Sequence, residues 1–411
     1  MSISSVEKRG HSSGALSIHP YFGKIDPALV EALLKDFSKL NDLVLDPFCG
    51  SGTVIHESIL SNRSCVGWDS SPLAILITTA KLLGITRTEE NQLLEIKKDI
   101  DLLIKSKNIR VPDHGEFPLI PRVLHLEKWF NKNAIRELKF IKWWIDKNLS
   151  SYSQVIRTLV QLSFSRIITR SSNQQGESNY RSIDKPDIPG RVLDLFSSSI
   201  IETIKYCKSY NREKENVEYI SERTLVLSER GSSICYKEKI NVLLKNWDSR
   251  NIESALQATD KPGLVITSPP YLMSWDYGLY HKFRFYLLGF NLDLYEETEI
   301  GRHLRRKNDD IPRYTSDMKN VFMTLNSAMG LNATICMINS PSSVYGKYVD
   351  TNEILINCAA LGGWKIKEVV PSIKLTGPHH GMHASTKARG AAVTGQAGKK
   401  EHVLIFQRAT S

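Results

Sequence analysis

The chain has 411 residues, 41% of them hydrophobic, and a formal net charge of +10. This apolar content allows a packed core of one large domain or two ordinary ones, and the positive charge favours a polyanionic partner. No apolar run reaches the roughly 18 residues of a membrane-spanning helix, and the N-terminus has no export signal. Six scattered cysteines without a C-x-x-C pair indicate neither a zinc site nor a disulfide framework, so a cytoplasmic protein without a membrane partner is predicted.

The first part of the chain alternates between predicted helices and strands after a polar, flexible tail over residues 1–16. The elements are a helix over 26–40, a strand over 43–46, a glycine turn at 50–52, a helix over 53–60, a strand over 65–69 and a helix over 72–83. Asp46 and Asp69 end the two strands. An acid after the second strand is where doubly wound folds hold ribose hydroxyls. The pattern therefore predicts a doubly wound, Rossmann-like α/β domain.

From residue 87 to 235 this alternation stops. Apolar residues at helical spacing predict a mainly helical insertion with its own small core, to which Trp143 and Trp144 are assigned. A polar stretch over 170–181 contains Arg, Asn and Gln, the side chains that recognise base edges through paired hydrogen bonds. A solvated loop is the alternative interpretation of this stretch.

The α/β pattern resumes at 240–244, ends near Asp248 and reaches an apolar strand over 264–266. That strand is followed by Ser268-Pro269-Pro270-Tyr271. The two prolines fix the backbone and remove two N–H donors, so a rigid, extended tetrapeptide with unpaired carbonyls is expected. Such a motif accepts hydrogen bonds from an exocyclic amine while the tyrosine ring stacks on the base that carries it. A Pro-Pro loop that only ends a strand is the alternative.

The last third of the chain contains two basic segments, 301–307 and 373–400. A helix over 275–290 and strands over 334–338 and 401–407 are predicted around them. Between Lys365 and Arg408 there are eight Lys or Arg residues against two Glu. Because the second basic segment lies between two predicted strands, a loop that contacts nucleic-acid phosphates is expected there.

With Asp46-Pro-Phe-Cys-Gly-Ser-Gly-Thr53 and Ser268-Pro-Pro-Tyr271 both present, the chain resembles the DNA amino-methyltransferases of restriction–modification systems. The first motif is similar to their S-adenosylmethionine-binding motif and the second to their catalytic motif. His19-Pro-Tyr-Phe-Gly-Lys24 is similar to the segment that covers the methionine end of the cofactor. The resemblance covers residues 17–84 and 240–408. The chain departs from the family's common orders in one respect, because its long insertion precedes the third strand.

The resemblance implies a catalytic domain over 17–86 and 236–411, with residues 87–235 as a candidate target-recognition region. Ser268 Oγ and the Pro269 carbonyl would accept hydrogen bonds from the target amine, and Tyr271 would stack on the flipped base, with Pro270 completing the motif. Cofactor contacts are expected from Tyr21, Asp46, Phe48, Gly50, Gly52, Thr53, Asp69 and Asp248. The expected partners are double-stranded DNA and a cognate restriction endonuclease, and no metal is required.

Several substrates fit such motifs. Ser268 is typical of enzymes that methylate N4 of cytosine, whereas adenine-N6 relatives mostly carry Asp or Asn at that position, so cytosine N4 is favoured. Methylation at C5 of cytosine needs a Pro-Cys nucleophile, which the sequence lacks. A tRNA guanine-N2 methyltransferase would carry a larger RNA-binding region before the cofactor motif. A non-catalytic DNA-binding protein is a further alternative, against which the intact motifs argue.

Overall fold

The computed structural model of the protein describes residues 9, 14–106, 126–177, 179–215, 223–236, 240–251, 261–273, 275–302, 309–345, 347–371 and 401–409. The α-helices are α1 (Pro27–Phe37), α2 (Thr53–Leu60), α3 (Pro72–Leu83), α4 (Arg87–Ser106), α5 (Leu126–Trp129), α6 (Lys132–Asn148), α7 (Gln154–Ser171), α8 (Arg191–Glu215), α9 (Tyr277–Leu288), α10 (Leu292–Thr298), α11 (Asp310–Ala328) and α12 (Thr351–Leu361). The strands are β1 (Leu43–Asp46), β2 (Ser64–Asp69), β3 (Gln174–Gly176), β4 (Asn179–Ser182), β5 (Arg223–Ser228), β6 (Gly231–Tyr236), β7 (Ile240–Asn246), β8 (Leu264–Thr267), β9 (Thr334–Asn339), β10 (Ser342–Val344), β11 (Lys347–Val349), β12 (Trp364–Pro371) and β13 (His402–Arg408).

Nine of the described strands form one sheet in the order β12-β13-β9-β8-β1-β2-β7-β6-β5. The five central strands, from β9 to β7, are parallel, and an antiparallel pair flanks them on each side. From β1 the chain first adds strands on one side and then, with β8, on the other. The strand order therefore reverses between β1 and β8, which confirms the predicted doubly wound, Rossmann-like α/β fold.

Local signals explain why the first helices begin where predicted. The Asp26 carboxylate accepts a hydrogen bond from the Ala28 N–H at 2.9 Å, and Pro27 occupies the first helical position. Ser71 caps α3 in the same way through the Ala74 N–H, again followed by proline. Both are common helix starts, since the cap accepts an otherwise unpaired donor and proline has none. The first helix ends at Phe37, earlier than predicted, because the backbone at Ser38 is extended.

Apolar clusters cover both faces of the sheet. In β1, Val44 belongs to one cluster and Leu45 to the other, and Leu264 and Val265 of β8 alternate in the same way. Helices α1, α2 and α3 pack on the first face, and α11 and α12 on the second. Burial on both faces explains why β1 and β8 are mainly apolar runs.

The described apolar residues of the region 87–235 belong to the core of the sheet and form no separate core, so that part of the prediction is wrong. Phe164 of α7 and Phe196 of α8 belong to the same apolar cluster as Val44 of the sheet. Trp144 is confirmed as a core residue, with Trp143 packed against the cluster. Within this region, β5 and β6 extend the nine-stranded sheet. The division into a catalytic domain and a recognition region stays a prediction. None of the described helices is long and apolar enough to span a membrane.

Candidate active site

The predicted cofactor turn and the predicted catalytic motif follow neighbouring strands, β1 and β8. Their ends are joined by a hydrogen bond, because Thr267 Oγ1 donates to Asp46 Oδ1 at 2.7 Å. The same carboxylate oxygen accepts from the Phe48 N–H at 3.1 Å. This pair lies where the strand order reverses, and doubly wound sheets bind ligands in the crevice at that point. Thr267 was not identified from the sequence, although it directly precedes the motif.

The turn after β1 requires two of its glycines. Gly50 and Gly52 have φ values of 49° and 76°, a region that favours glycine. A Cβ at Gly52 would lie 2.4 Å from Thr78 Cγ2, and one at Gly50 would lie 3.2 Å from Tyr21 Cε1. Thr78 Oγ1 also donates to the Gly50 carbonyl at 2.9 Å. The turn therefore combines positive φ angles with close contacts that leave little space for larger side chains.

Asp69 closes the turn from the end of β2. Its Oδ2 accepts from the Gly50 N–H and its Oδ1 from the Ser71 N–H, each at 2.8 Å. Burial raises the pKa of Asp69 to about 6, against these two hydrogen bonds. Burial likewise raises the pKa of Asp46 to about 7, and the nearby Asp69 carboxylate adds to this shift. The two strand-ending acids thus stand close enough to influence each other.

A polar atom next to this turn has no partner. Thr53 is 4% exposed, and its Oγ1 makes no hydrogen bond to any residue that the structure describes. Buried hydroxyls are normally paired, by protein or by a bound molecule. Together with the narrow glycine turn and the Asp69 carboxylate, this hydroxyl fits a cofactor with several polar groups. Phe48, which follows Asp46, is partly buried and packs against the second apolar cluster.

Asp248 lies close to Asp69, because the neighbouring Trp247 N–H donates to the Asp69 carbonyl at 2.9 Å. Both of its carboxylate oxygens accept from Arg250, from Nε at 2.9 Å and from Nη2 at 2.6 Å. Arg250 Nη1 also donates to Asp317 at 2.8 Å. A carboxylate has about four acceptor positions, so the predicted contact of Asp248 with the cofactor's adenine amine stays a prediction beside the arginine.

An aromatic group faces the turn from the N-terminal segment. The Tyr21 ring stacks on Tyr277 with centroids 5.7 Å apart and on His281 at 5.5 Å. The segment is anchored on the insertion, since His19 Nε2 and Ser165 Oγ of α7 are 2.9 Å apart. Tyr21 therefore lies beside the predicted cofactor turn, and its contact with the cofactor stays a prediction. Tyr277 and His281 were missed, and the aromatic-rich sequence of 275–290 was the signal for them.

The predicted catalytic motif contacts a residue that was not assigned to the site from the sequence. Ser268 Oγ donates to Tyr271 Oη at 3.4 Å, and Tyr271 Oη donates to Glu401 Oε1 at 3.2 Å. Pro269 is buried and Pro270 half-buried, so the motif is held in the edge of the sheet. Burial, together with the Glu401 carboxylate, raises the pKa of Tyr271, so the phenol stays protonated and donates.

We expect the Glu401 bond to orient the Tyr271 ring. Replacing Tyr271 by Phe keeps the ring but removes the bond, and Glu401→Ala removes the same bond from the other side. A hydrogen bond to a charged group contributes about 1.5–3 kcal/mol. Each change is therefore expected to slow methyl transfer by roughly 10- to 150-fold. The double variant is expected to be no slower than Tyr271→Phe, because that single change already removes the bond to Glu401. Additive losses in single-turnover rates would contradict this coupling.

Part of the polar stretch 170–181 is buried or makes contacts within the protein. Asn173 and Gln174 are buried, at 6% and 0% exposure, and Glu177 pairs with Arg284 of α9 at 2.6 Å. Arg170 and Arg181 remain exposed. For Asn173 and Gln174 the solvated-loop alternative is wrong. Residues 303–307 and 373–400 of the two basic segments lie outside the described residues, as does most of the tail 1–16.

Comparisons with known proteins agree with these motifs. The sequence model of the N6/N4-type DNA methylase family matches residues 3–79. The Type II methyltransferase M.MjaII of Methanocaldococcus jannaschii is 23% identical over 422 residues, which cover 86% of this chain and 77% of that protein. The Type II methyltransferase M.MvaI of Kocuria varians is 24% identical, over 68% of this chain and 59% of that protein. The rRNA methyltransferase aviRa from Streptomyces viridochromogenes aligns over 94% of this chain and 87% of its own, with 10% identity and a TM-score of 0.35.

The family match and the Type II relatives confirm the predicted resemblance to the DNA amino-methyltransferases of restriction–modification systems. They support a DNA methyltransferase of the N6/N4 type without distinguishing the two amines. Among the described residues, no group of three or more His, Cys, Asp or Glu side chains could hold a metal ion.

Proposed function

We propose that the protein transfers a methyl group from S-adenosylmethionine to the exocyclic N4 of cytosine in duplex DNA, as the modification enzyme of a restriction–modification system. The observation that supports this most directly is the junction of β1 and β8. There the turn of the cofactor type and the amine-accepting motif are tied together by the 2.7 Å bond between Thr267 and Asp46. A cofactor and a base bound to these two segments would meet at the strand reversal.

The residues around the turn would hold the cofactor. Asp69 would accept hydrogen bonds from the ribose hydroxyls, Thr53 Oγ1 would find a partner, and Gly50 and Gly52 would allow close approach. Tyr21 would cover the methionine end, with Phe48 beside it, and Asp248 would accept from the adenine amine. When bound, S-adenosylmethionine supplies a methyl group that its sulfonium has already activated. The protein then has mainly to align the acceptor nitrogen.

The motif after β8 would align that nitrogen. The amine N–H groups would donate to Ser268 Oγ and to the Pro269 carbonyl, which stabilises the positive charge that develops on the nitrogen. Ser268 is suited to accept because its own proton is directed to Tyr271 Oη. The Tyr271 ring would stack on the flipped base, and flipping is required because the amine is inaccessible within a stacked duplex.

The choice of cytosine rests on Ser268, whose residue type is that of cytosine-N4 enzymes. Methylation of adenine N6 is the alternative, because both targets are aromatic amines beside a ring nitrogen. A tRNA guanine-N2 methyltransferase or a non-catalytic DNA-binding protein has less support. A cognate restriction endonuclease for the same site is proposed as a partner, and the cytoplasm as the location.

Sequencing of host DNA with and without the expressed gene tests this function, by a method that distinguishes N4-methylcytosine from N6-methyladenine. We expect N4-methylcytosine at one recurring sequence only when the gene is expressed. N6-methyladenine alone would overturn the base assignment and leave the mechanism unchanged. DNA without either modified base would contradict the proposed enzyme, provided that the protein is produced in folded form.

A further inference from the structure

The helical region carries a small cleft that is open to solvent. It lies between the first turn of α6, the end of α7 and the start of α8, away from the residues predicted for the cofactor and for catalysis. Its charged lining residues are Arg170, Lys185, Arg191 and Asp187. Among the described lining residues, three cations therefore face a single acid.

The positive charge of this cleft is poorly compensated. Neither the Arg170 nor the Arg191 guanidinium makes an ion pair or a hydrogen bond with another described residue. Lys185 Nζ donates to two neutral groups, the carbonyls of Ser172 at 2.6 Å and of Gln174 at 2.7 Å. Burial lowers the pKa of Lys185 and the positive charge of Arg191 lowers it further, whereas the Glu177 carboxylate raises it. Cations so arranged favour a bound anion.

The frame of the cleft is held by buried polar contacts. Asn131 Nδ2 donates to the Lys185 carbonyl at 2.8 Å, and Asn173 Nδ2 donates to Asn131 Oδ1 at 3.1 Å. The buried Glu137 carboxylate accepts from the N–H groups of Gly190 at 2.6 Å and Val192 at 2.9 Å. Glu137 thus occupies the amino end of α8, so attraction for an anion rests on the cationic side chains and not on this helix end.

Contacts connect this cleft with the helix that follows the catalytic motif. The hairpin of β3 and β4 lies between the cleft and α9. Its Glu177 pairs with Arg284, and its Tyr180 ring lies 5.9 Å from that of Phe283, both on α9. Tyr180 also stacks on Trp129 at 4.4 Å. The cleft and α9 are therefore joined through packed side chains.

We propose that this cleft binds a phosphodiester group of the DNA backbone, with Arg170, Lys185 and Arg191 as its ligands. The proposal rests on the proposed function and adds to it a contact by which the duplex is positioned. Arginine suits this role because its planar guanidinium can donate two parallel hydrogen bonds to phosphate oxygens. Such backbone contacts orient a duplex and add affinity without distinguishing sequences.

The test compares two double variants of the full chain that remove equal charge. Arg170→Gln/Arg191→Gln changes the cleft, and Lys35→Gln/Lys39→Gln changes two exposed lysines before the amino end of β1, the edge opposite the catalytic motif. Affinity is measured over a range of salt for a duplex with the methylated site and for an unrelated duplex. The cleft variant is expected to bind both duplexes more weakly, with a salt slope smaller by about 0.9, the value for one phosphate contact. The lysine variant is expected to keep the wild-type slope. An unchanged affinity and slope in the cleft variant would overturn the proposal.

A third variant predicts the opposite sign. Asp187→Asn removes the one negative charge among the described lining residues. The amide keeps an oxygen that can accept from the Asn133 N–H, which lies 3.3 Å from Asp187 Oδ1. DNA binding is expected to tighten, which loss of folding could not produce. Unchanged or weaker binding would count against a phosphate in this cleft. Inorganic phosphate could raise the melting temperature of the wild type but not of the cleft variant, while both proteins bind duplex DNA with equal affinity. That result would show that the cleft binds a small anion and does not contact DNA.

Methyl transfer by the wild type separates this inference from the proposed function. A wild type that binds duplex through the cleft but transfers no methyl group would contradict the proposed function alone. A wild type that methylates DNA, with the cleft variant unchanged in affinity, would contradict only the inference. A wild type that binds neither duplex would overturn both.

Discussion

Replacing Ser268 by Ala is expected to slow methyl transfer by about 10- to 100-fold while the affinity for S-adenosylmethionine stays the same. The hydroxyl would accept from the target amine only when the base is in place. Its loss should therefore raise the barrier of the chemical step by roughly 1.4–2.8 kcal/mol, at tenfold in rate for each 1.36 kcal/mol. Single-turnover rates and a calorimetric cofactor titration measure the two quantities separately.

Ser340→Ala is a matched control for this change. Ser340 follows β9, the next strand in the sheet, and its hydroxyl interacts with the Pro341 carbonyl at 3.5 Å. The rate of this variant is expected to stay within about twofold of the wild type, as for most changes that remove no substantial interaction. Equal losses in the two variants would show that the Ser268 effect arises from the sheet edge and not from the amine contact.

Replacing Asp69 by Asn is expected to weaken cofactor binding by about 10- to 150-fold at pH 8. The amide keeps an oxygen but lacks the charge, and hydrogen bonds to charged groups contribute about 1.5–3 kcal/mol. Calorimetric titration of the variant measures this loss. The exposed Asp36→Asn on α1 removes the same charge elsewhere and is expected to leave the affinity unchanged. Wild-type affinity in the Asp69 variant would remove this residue from the site.

The pKa of Asp69 predicts how cofactor binding varies with pH. At a pKa of about 6 the carboxyl is ionised at pH 8 and protonated as the pH falls through 6, so affinity is expected to decline towards acid. The Asn variant should lose this part of the decline.

The folding stability of the cofactor-free protein should change with pH in the opposite direction. Because the folded pKa lies above the usual 3.8, the native state binds more protons between about pH 4 and 7, and stability falls as pH rises through that window. Relative to the wild type, Asp69→Asn should therefore lose less stability as the pH rises from about 4 to 7, which the melting temperatures of the two cofactor-free proteins across that range measure.

The first half of the site could be predicted because its signals are local. The helices Thr53–Leu60 and Pro72–Leu83 have the predicted bounds, since a glycine turn and a Ser-Pro cap define their starts. The Ser268 motif is at a strand end for an equally local reason, its two prolines. Such signals depend only on neighbouring residues in the sequence, so the tertiary structure does not change the local structure that they predict.

The parts of the fold and of the site that were not predicted depend on contacts between residues that are distant in sequence. Glu401 meets Tyr271 because β13 is inserted antiparallel between β9 and β12, an arrangement without a local signature. Strands β5 and β6 were not predicted, as β5 alternates between half-buried and exposed residues and is flanked by charged ones. The pairing of Asp248 with Arg250 is local. The sequence nevertheless does not indicate whether the Asp248 carboxylate pairs with this arginine or with the cofactor.

The antiparallel orientation of β13 has a practical consequence for the segment 372–400, which connects β12 to Glu401 and β13. Pro371 at the end of β12 pairs with His402 at the start of β13, and His402 also pairs with Asn339 at the end of β9. The two ends of the segment therefore meet at the sheet edge that carries Ser268. A connection whose ends face each other can be exchanged for a short turn, or for the equivalent piece of a relative, without displacing either strand. This edge of the catalytic sheet is thus a natural point for modular exchange.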